Sequence, residues 1–145
     1  MNPIMSSLSK FAEARTAASA VEFALIMPVF LALLFGIVTF GAYLGIVHGV
    51  QQLAAEAARS SVAGLNESER SSLASSYITS NAPSYPLISP DRLKVQASTS
   101  SADANVFVVA VTYDASGMFI YALPSFMPAP NPTIVRSAAI PRGGY

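Results

Sequence analysis

Two sets of residues in this 145-residue chain stand where side-chain chemistry would matter. One is Glu22, a lone acid at the edge of an uncharged apolar run covering residues 23–47; the other is Gly41, Gly45 and Gly49, spaced four apart. A carboxylate at a bilayer centre costs about 2.5–3.5 kcal/mol, and less near an interface. Glu22 therefore either sits in the headgroup layer and needs no partner, or has a defined one, such as a free amine on a neighbouring subunit. Residues four apart stack on one helix face, and glycine lets another backbone come close, so the three glycines read as a helix-packing surface widened by Gly36 and Ala42. The competing explanation is composition, because glycine is frequent in membrane helices anyway. Pro28 removes one backbone hydrogen bond and is expected to kink the helix.

Catalytic chemistry has little to work with. His48 is the only histidine and cysteine is absent, which excludes thiolate metal sites, disulfides and cysteine nucleophiles. No second histidine, cysteine or paired carboxylate lies near His48 at metal-ligand spacing, so it reads as an interfacial or helix-packing residue. The serines fall in no nucleophile-elbow motif, and no glycine-rich phosphate loop is present. Asp91, Asp103 and Asp114 occur singly near turns, where solvated or capping roles are the norm. The expectation is a protein without enzymatic activity, metal or cofactor.

The elements that would position these residues follow from the distribution of apolar side chains. Hydrophobic residues make up 52% and charged residues 11%, with zero formal net charge; globular domains usually carry about 25% charged residues. A neutral chain offers no basic face for phosphates, so no nucleic-acid partner is expected. Residues 23–47 would extend roughly 37 Å as a helix, against a hydrocarbon core of about 30 Å. They read as a transmembrane helix. A cleaved secretory signal would have an apolar region of only about 7–15 residues followed by a small-residue cleavage site. Lys10 and Arg15 precede the run, with Glu13 between them, and the next basic residue is Arg59. The positive-inside tendency puts the N-terminus in the cytoplasm.

Residues 1–16 form a short polar leader, and the helix is expected to start near Thr16 or Ala17. Beyond the lipid, Val50, Leu53, Ala54, Ala57 and Ala58 recur at helical spacing, and Gly64 is the expected stop. A second helix follows, with Asn66 as N-cap, Glu69 in capping-box position, and Leu73, Ala74, Tyr77 and Ile78 on one face; Asn81 and Pro83 end it. Leu93, Val95 and Ala97 alternate with polar residues, predicting a half-buried strand. Residues 106–113 predict a central strand and residues 133–140 a last one, and an irregular proline-rich loop covers residues 118–132. The fold class is α+β: a long N-terminal helix, transmembrane and extending outward, then a short helix and a small antiparallel sheet of about three strands. The organisation is a leader over residues 1–17, a transmembrane helix over 18–50, and an outer domain over 51–145 that leans on the outer half of the long helix.

The segment AASAVEFAL (residues 17–25), together with FGIVTFG (35–41) and QQLAAEAAR (51–59), resembles the membrane region of TadE-like pseudopilins of tight-adherence pilus systems. The resemblance covers about the first 60 residues closely and the remainder only in layout. It implies a minor pilin or assembly factor in the bacterial inner membrane, with a cytoplasmic N-terminus and a periplasmic domain. It also implies removal of the leader by a prepilin peptidase between Ala17 and Ala18; related pilins carry glycine before the cut, where this chain has Ala17. Glu22 would become the fifth mature residue, able to pair with the new amine at Ala18 of an adjacent subunit. Implied partners are the prepilin peptidase, other pseudopilins, pilus-assembly membrane proteins and membrane lipid, with Gly41, Gly45 and Gly49 serving homo- or hetero-oligomer contacts. The rival reading is a membrane-anchored binding module whose exposed aromatics Tyr113, Phe119, Tyr121 and Phe126 recognise an envelope ligand.

Overall fold

The computed structural model describes residues 3–122 and 128–141, with side chains from Ala18 onward. Helix α1 runs over Pro3–Ser60 and continues as a short 3-10 turn over Ser61–Ala63. Its start lies well before the expected Thr16. Pro3 suits the first helical position, where its missing N–H costs nothing. Extending a helix that is already nucleated adds a hydrogen bond per residue ordered, so a leader containing Phe11, Ala12, Glu13, Ala14 and Arg15 can continue it. Pro28 lies inside α1. The chain divides into a unit ending at Val38 and a second beginning at Thr39.

From Thr39 onward the architecture is α+β, as expected. Helix α2 (Glu67–Asn81) begins at Asn66, whose side-chain oxygen accepts from the Glu69 N–H at 2.9 Å. The Glu69 carboxylate accepts from the N–H of Leu65, also at 2.9 Å, one residue earlier than a standard capping box. Gly64 ends the first helical stretch for a steric reason. Its φ of −74° is ordinary, but a Cβ there would lie 2.7 Å from the Arg70 backbone nitrogen.

Three strands, β1 (Leu93–Thr99), β2 (Val106–Asp114) and β3 (Thr133–Pro141), form an antiparallel meander with β2 in the middle. The register pairs Val95 with Val111 and Val111 with Arg136, so alternate residues share one face. On that face Phe107, Val109, Val111, Tyr113 and Ile134 are buried against Ala74 and Ile78 of α2 and against Ile46, Val50, Leu53, Ala54, Ala57 and Ala58 of α1. The helical stripe expected from spacing is therefore the core of the unit. Within the segment expected to be an irregular loop, Phe119–Ala122 form a 3-10 turn.

Phe107 is fully buried, and truncating such a side chain costs about 3–5 kcal/mol. Phe107→Ala is expected to destabilise the α+β unit by that amount, and Asn66→Ala by about 1 kcal/mol through loss of the cap. Urea unfolding of the detergent-solubilised chain, followed by near-ultraviolet circular dichroism, measures both.

Candidate functional site

Glu22 is exposed on α1, four residues after Ala18, which is also exposed. That spacing stacks the two on one helix face, about 6 Å apart along the axis. The Ala17–Ala18 bond lies within the continuous helical backbone of α1, while the side chain of Ala17 is outside the described residues. Through the segment containing Phe23, Leu25, Val29, Phe30, Leu33 and Ile37 the helix exposes large apolar side chains on all sides. A soluble helix would show one polar face.

The glycine stripe divides in two. A Cβ on Gly49 would lie 2.8 Å from Ile88 Cδ1 and 3.3 Å from Tyr85 Cδ1, and one on Gly45 would touch Leu87 Cδ1 at 3.7 Å. A Cβ on Gly41 would meet nothing within 4 Å. Gly49 thus admits a loop of the same chain, residues 85–88, Gly45 stays exposed at the edge of that loop, and Gly41 presents open space. Spacing alone did not find this loop. Its signal was the apolar sequence Tyr85-Pro86-Leu87-Ile88 inside a proline-rich connection, which a solvated loop would not need.

Two hydrogen bonds tie α1 to the end and outer edge of the sheet. The Tyr43 hydroxyl donates to the Asn131 carbonyl (3.2 Å), and Gln51 Nε2 donates to the Ser137 carbonyl (3.4 Å). The aromatics expected to form a ligand surface do not share one exposed face among the described residues. Tyr113 is only 3% exposed, because its odd register position on β2 faces the helices. Its hydroxyl donates to the Leu87 carbonyl and accepts from the Ser89 N–H, both at 3.4 Å. Tyr121 packs against the core, and burial followed by the neighbouring Tyr43 pushes its hydroxyl pKa up. Phe119 is 61% exposed, and Phe126 lies outside the described residues.

His48 is exposed on α1, and among the described residues no group of three or more His, Asp and Glu could hold a metal ion. The aspartates act in turns. Asp103 Oδ1 accepts from the Asn105 N–H (2.8 Å) and Asp114 Oδ1 from the Ser116 N–H (2.9 Å). Hydrogen bonds from Ser116, and more weakly the charges of Arg92 and Lys94, hold Asp114 below the ordinary carboxylate pKa.

These features define a class: an α+β unit built on one end of a helix whose other part is long and apolar enough to cross a membrane, which fits membrane anchoring. Residues 17–59 match the family model described as TadE-like protein. The chain thus carries a TadE-like region that coincides with most of α1 and stops short of α2 and the sheet. No curated protein and no solved structure matches the chain.

The split glycine stripe has a direct consequence. Gly49→Val is expected to destabilise the folded unit by about 1–3 kcal/mol by displacing Ile88 and Tyr85. Gly41→Val is expected to change it by no more than about 0.5 kcal/mol. Thermal or urea melts of the two variants in one detergent compare them.

Proposed function

We propose that this chain is a minor pilin, pseudopilin or assembly factor of a tight-adherence pilus. It is held in the bacterial inner membrane by α1, with its N-terminus in the cytoplasm and its α+β unit in the periplasm. The observation that carries this reading is the TadE-like match over residues 17–59, because it spans the Glu22 entry, the apolar stretch and the core stripe together. Ile46, Val50 and Leu53 are buried in the chain's own core, so the lipid-crossing part ends near Tyr43 and leaves the last turns of the 18–50 segment to the outer unit. Residues 23–42 then extend about 30 Å, the thickness of a hydrocarbon core.

In this reading a prepilin peptidase cuts between Ala17 and Ala18, and the Glu22 carboxylate pairs with the Ala18 amine of an adjacent subunit. The i, i+4 geometry also offers Glu22 the amine of its own chain, so neighbour pairing depends on how the helices stagger. A charge left unpaired in low dielectric is costly, which makes the pair a device for register. Gly41 is the point at which a neighbouring helix approaches most closely. Tyr113 and Tyr121 are turned into the core, which weakens the binding-module alternative.

Intact-mass measurement of the membrane-extracted protein is expected to show the loss of the first 17 residues. A full-length mass would remove the processing step. Separately, Glu22→Ala is expected to lower incorporation into assembled pili at least about tenfold, equivalent to ~1.4 kcal/mol, while membrane levels of the protein stay the same. Unchanged incorporation would discard the pairing.

A further inference from the structure

The end of the α+β unit where α1 enters it carries large exposed apolar side chains from three separate elements. Leu44 on α1 is 54% exposed, Leu87 in the 85–88 loop 59%, and Phe119 in the 3-10 turn 61%. They share one level along the helix. Leu87 Cδ1 lies 3.7 Å from where a Cβ on Gly45, the residue after Leu44, would stand, and the turn bearing Phe119 continues into Tyr121, which neighbours Tyr43. Leu87 also has a φ of 75°, the left-handed region that glycine or asparagine occupies most easily. The Tyr113 hydroxyl holds this conformation by bonding the Leu87 carbonyl and the Ser89 N–H. A strained backbone that presents an exposed leucine satisfies neither local conformational preference nor solubility in water.

We propose that this rim lies in the interfacial layer of the lipid bilayer, with Leu87 and Phe119 inserted beside α1. The proposal rests on the membrane reading of α1 and extends it: the bilayer is contacted by the folded unit as well as by the helix. Lipid is the occupant because exposed Phe40 stands one helical turn before exposed Leu44 on the same face of α1, so the apolar face of the helix runs on into the rim. Tyr43, with its ring packed on the core and its hydroxyl on the Asn131 carbonyl, has the amphipathic character found at headgroup level. The ionisable groups of the flanking segments are Asp91, Arg92, Lys94 and Asp114, two of each sign. Insertion therefore draws on apolar contact and does not require anionic lipid.

The absence of cysteine allows single-site labelling. The full chain, carrying an environment-sensitive fluorophore at Leu87→Cys, Phe119→Cys, Phe30→Cys or Leu65→Cys, is reconstituted into phosphatidylcholine vesicles containing lipids spin-labelled at shallow or deep acyl positions. Leu65 is 93% exposed at the α1–α2 connection, beyond the end of α1, which lies about 22 Å from Gly45, and serves as the distant reference. Expected are quenching at Leu87 and Phe119 by the shallow label within a factor of about two of that at Phe30 by the deep label, and none at Leu65. Quenching at Phe30 alone overturns the rim proposal and leaves the membrane span intact. No quenching at Phe30 overturns both. Should Leu87→Cys lose the circular dichroism of the folded unit, Pro86→Cys, also exposed, reports the same loop with the same criteria.

Discussion

The burial of one stripe of α1, Ile46 to Ala58, against α2 and the sheet is the interaction on which the α+β unit depends. The stripe from Ile46 to Ala58 that closes the core belongs to the same α1 that exposes apolar side chains on all sides further back. An α-helix satisfies its backbone hydrogen bonds internally, so it can pass from lipid into a protein interior without leaving a polar group unpaired. The α+β unit accordingly includes the last third of α1 as part of its own core. Separating the two at Val47, where the apolar run ends, would remove Ile46 and the Tyr43 hydroxyl that holds Asn131. For a unit of about 100 residues, which buries a modest share of its surface, that loss is large.

The core depends on small residues as much as on large ones. Ala54, Ala57 and Ala58 of α1 and Ala74 of α2 are fully buried, and their size lets the helices approach the β2 face. Phe107, Leu53, Val109 and Val111 then fill the remaining volume. At the α1–α2 corner polar groups take over. The Ser61 hydroxyl donates back to the Ala58 carbonyl at 2.7 Å, and Arg70 Nε donates to the Gly64 carbonyl at 2.9 Å. Glu67 reaches across to β1, accepting from the Thr99 hydroxyl and N–H, so the start of α2 is fastened to the far end of the sheet.

The periodic elements were legible because burial enforces their period. The alternation of Leu93, Val95 and Ala97 and the helical recurrence of Leu53, Ala54, Ala57 and Ala58 each have one face turned to a single core. The central position of β2 followed from its apolar excess. What escaped was local geometry without a period. The helical leader needed elongation from a downstream nucleus, which composition alone does not reveal. The less apolar Tyr113 is buried and the more apolar Phe119 exposed, because strand register decides one and a four-residue turn the other. For the glycines, spacing identified a stripe that something must approach closely. It could not say that for Gly49 the approaching group would come from forty residues later in the same chain.

That internal use of glycine narrows where another subunit can sit. Tyr85 and Ile88 occupy the approach to Gly49, so close helix–helix contact through small residues falls on Gly41 and the turns before it, with Gly45 at its exposed edge. Glu22 lies in that same part of α1, roughly 29 Å from Gly41 along the axis. In the proposed assembly a charge near the inner leaflet and a small residue near the outer one would constrain a neighbouring helix at two points. Two points fix both stagger and crossing angle, whereas either alone would leave the neighbour free to slide or pivot. The folded unit then needs no large interface of its own to be placed correctly.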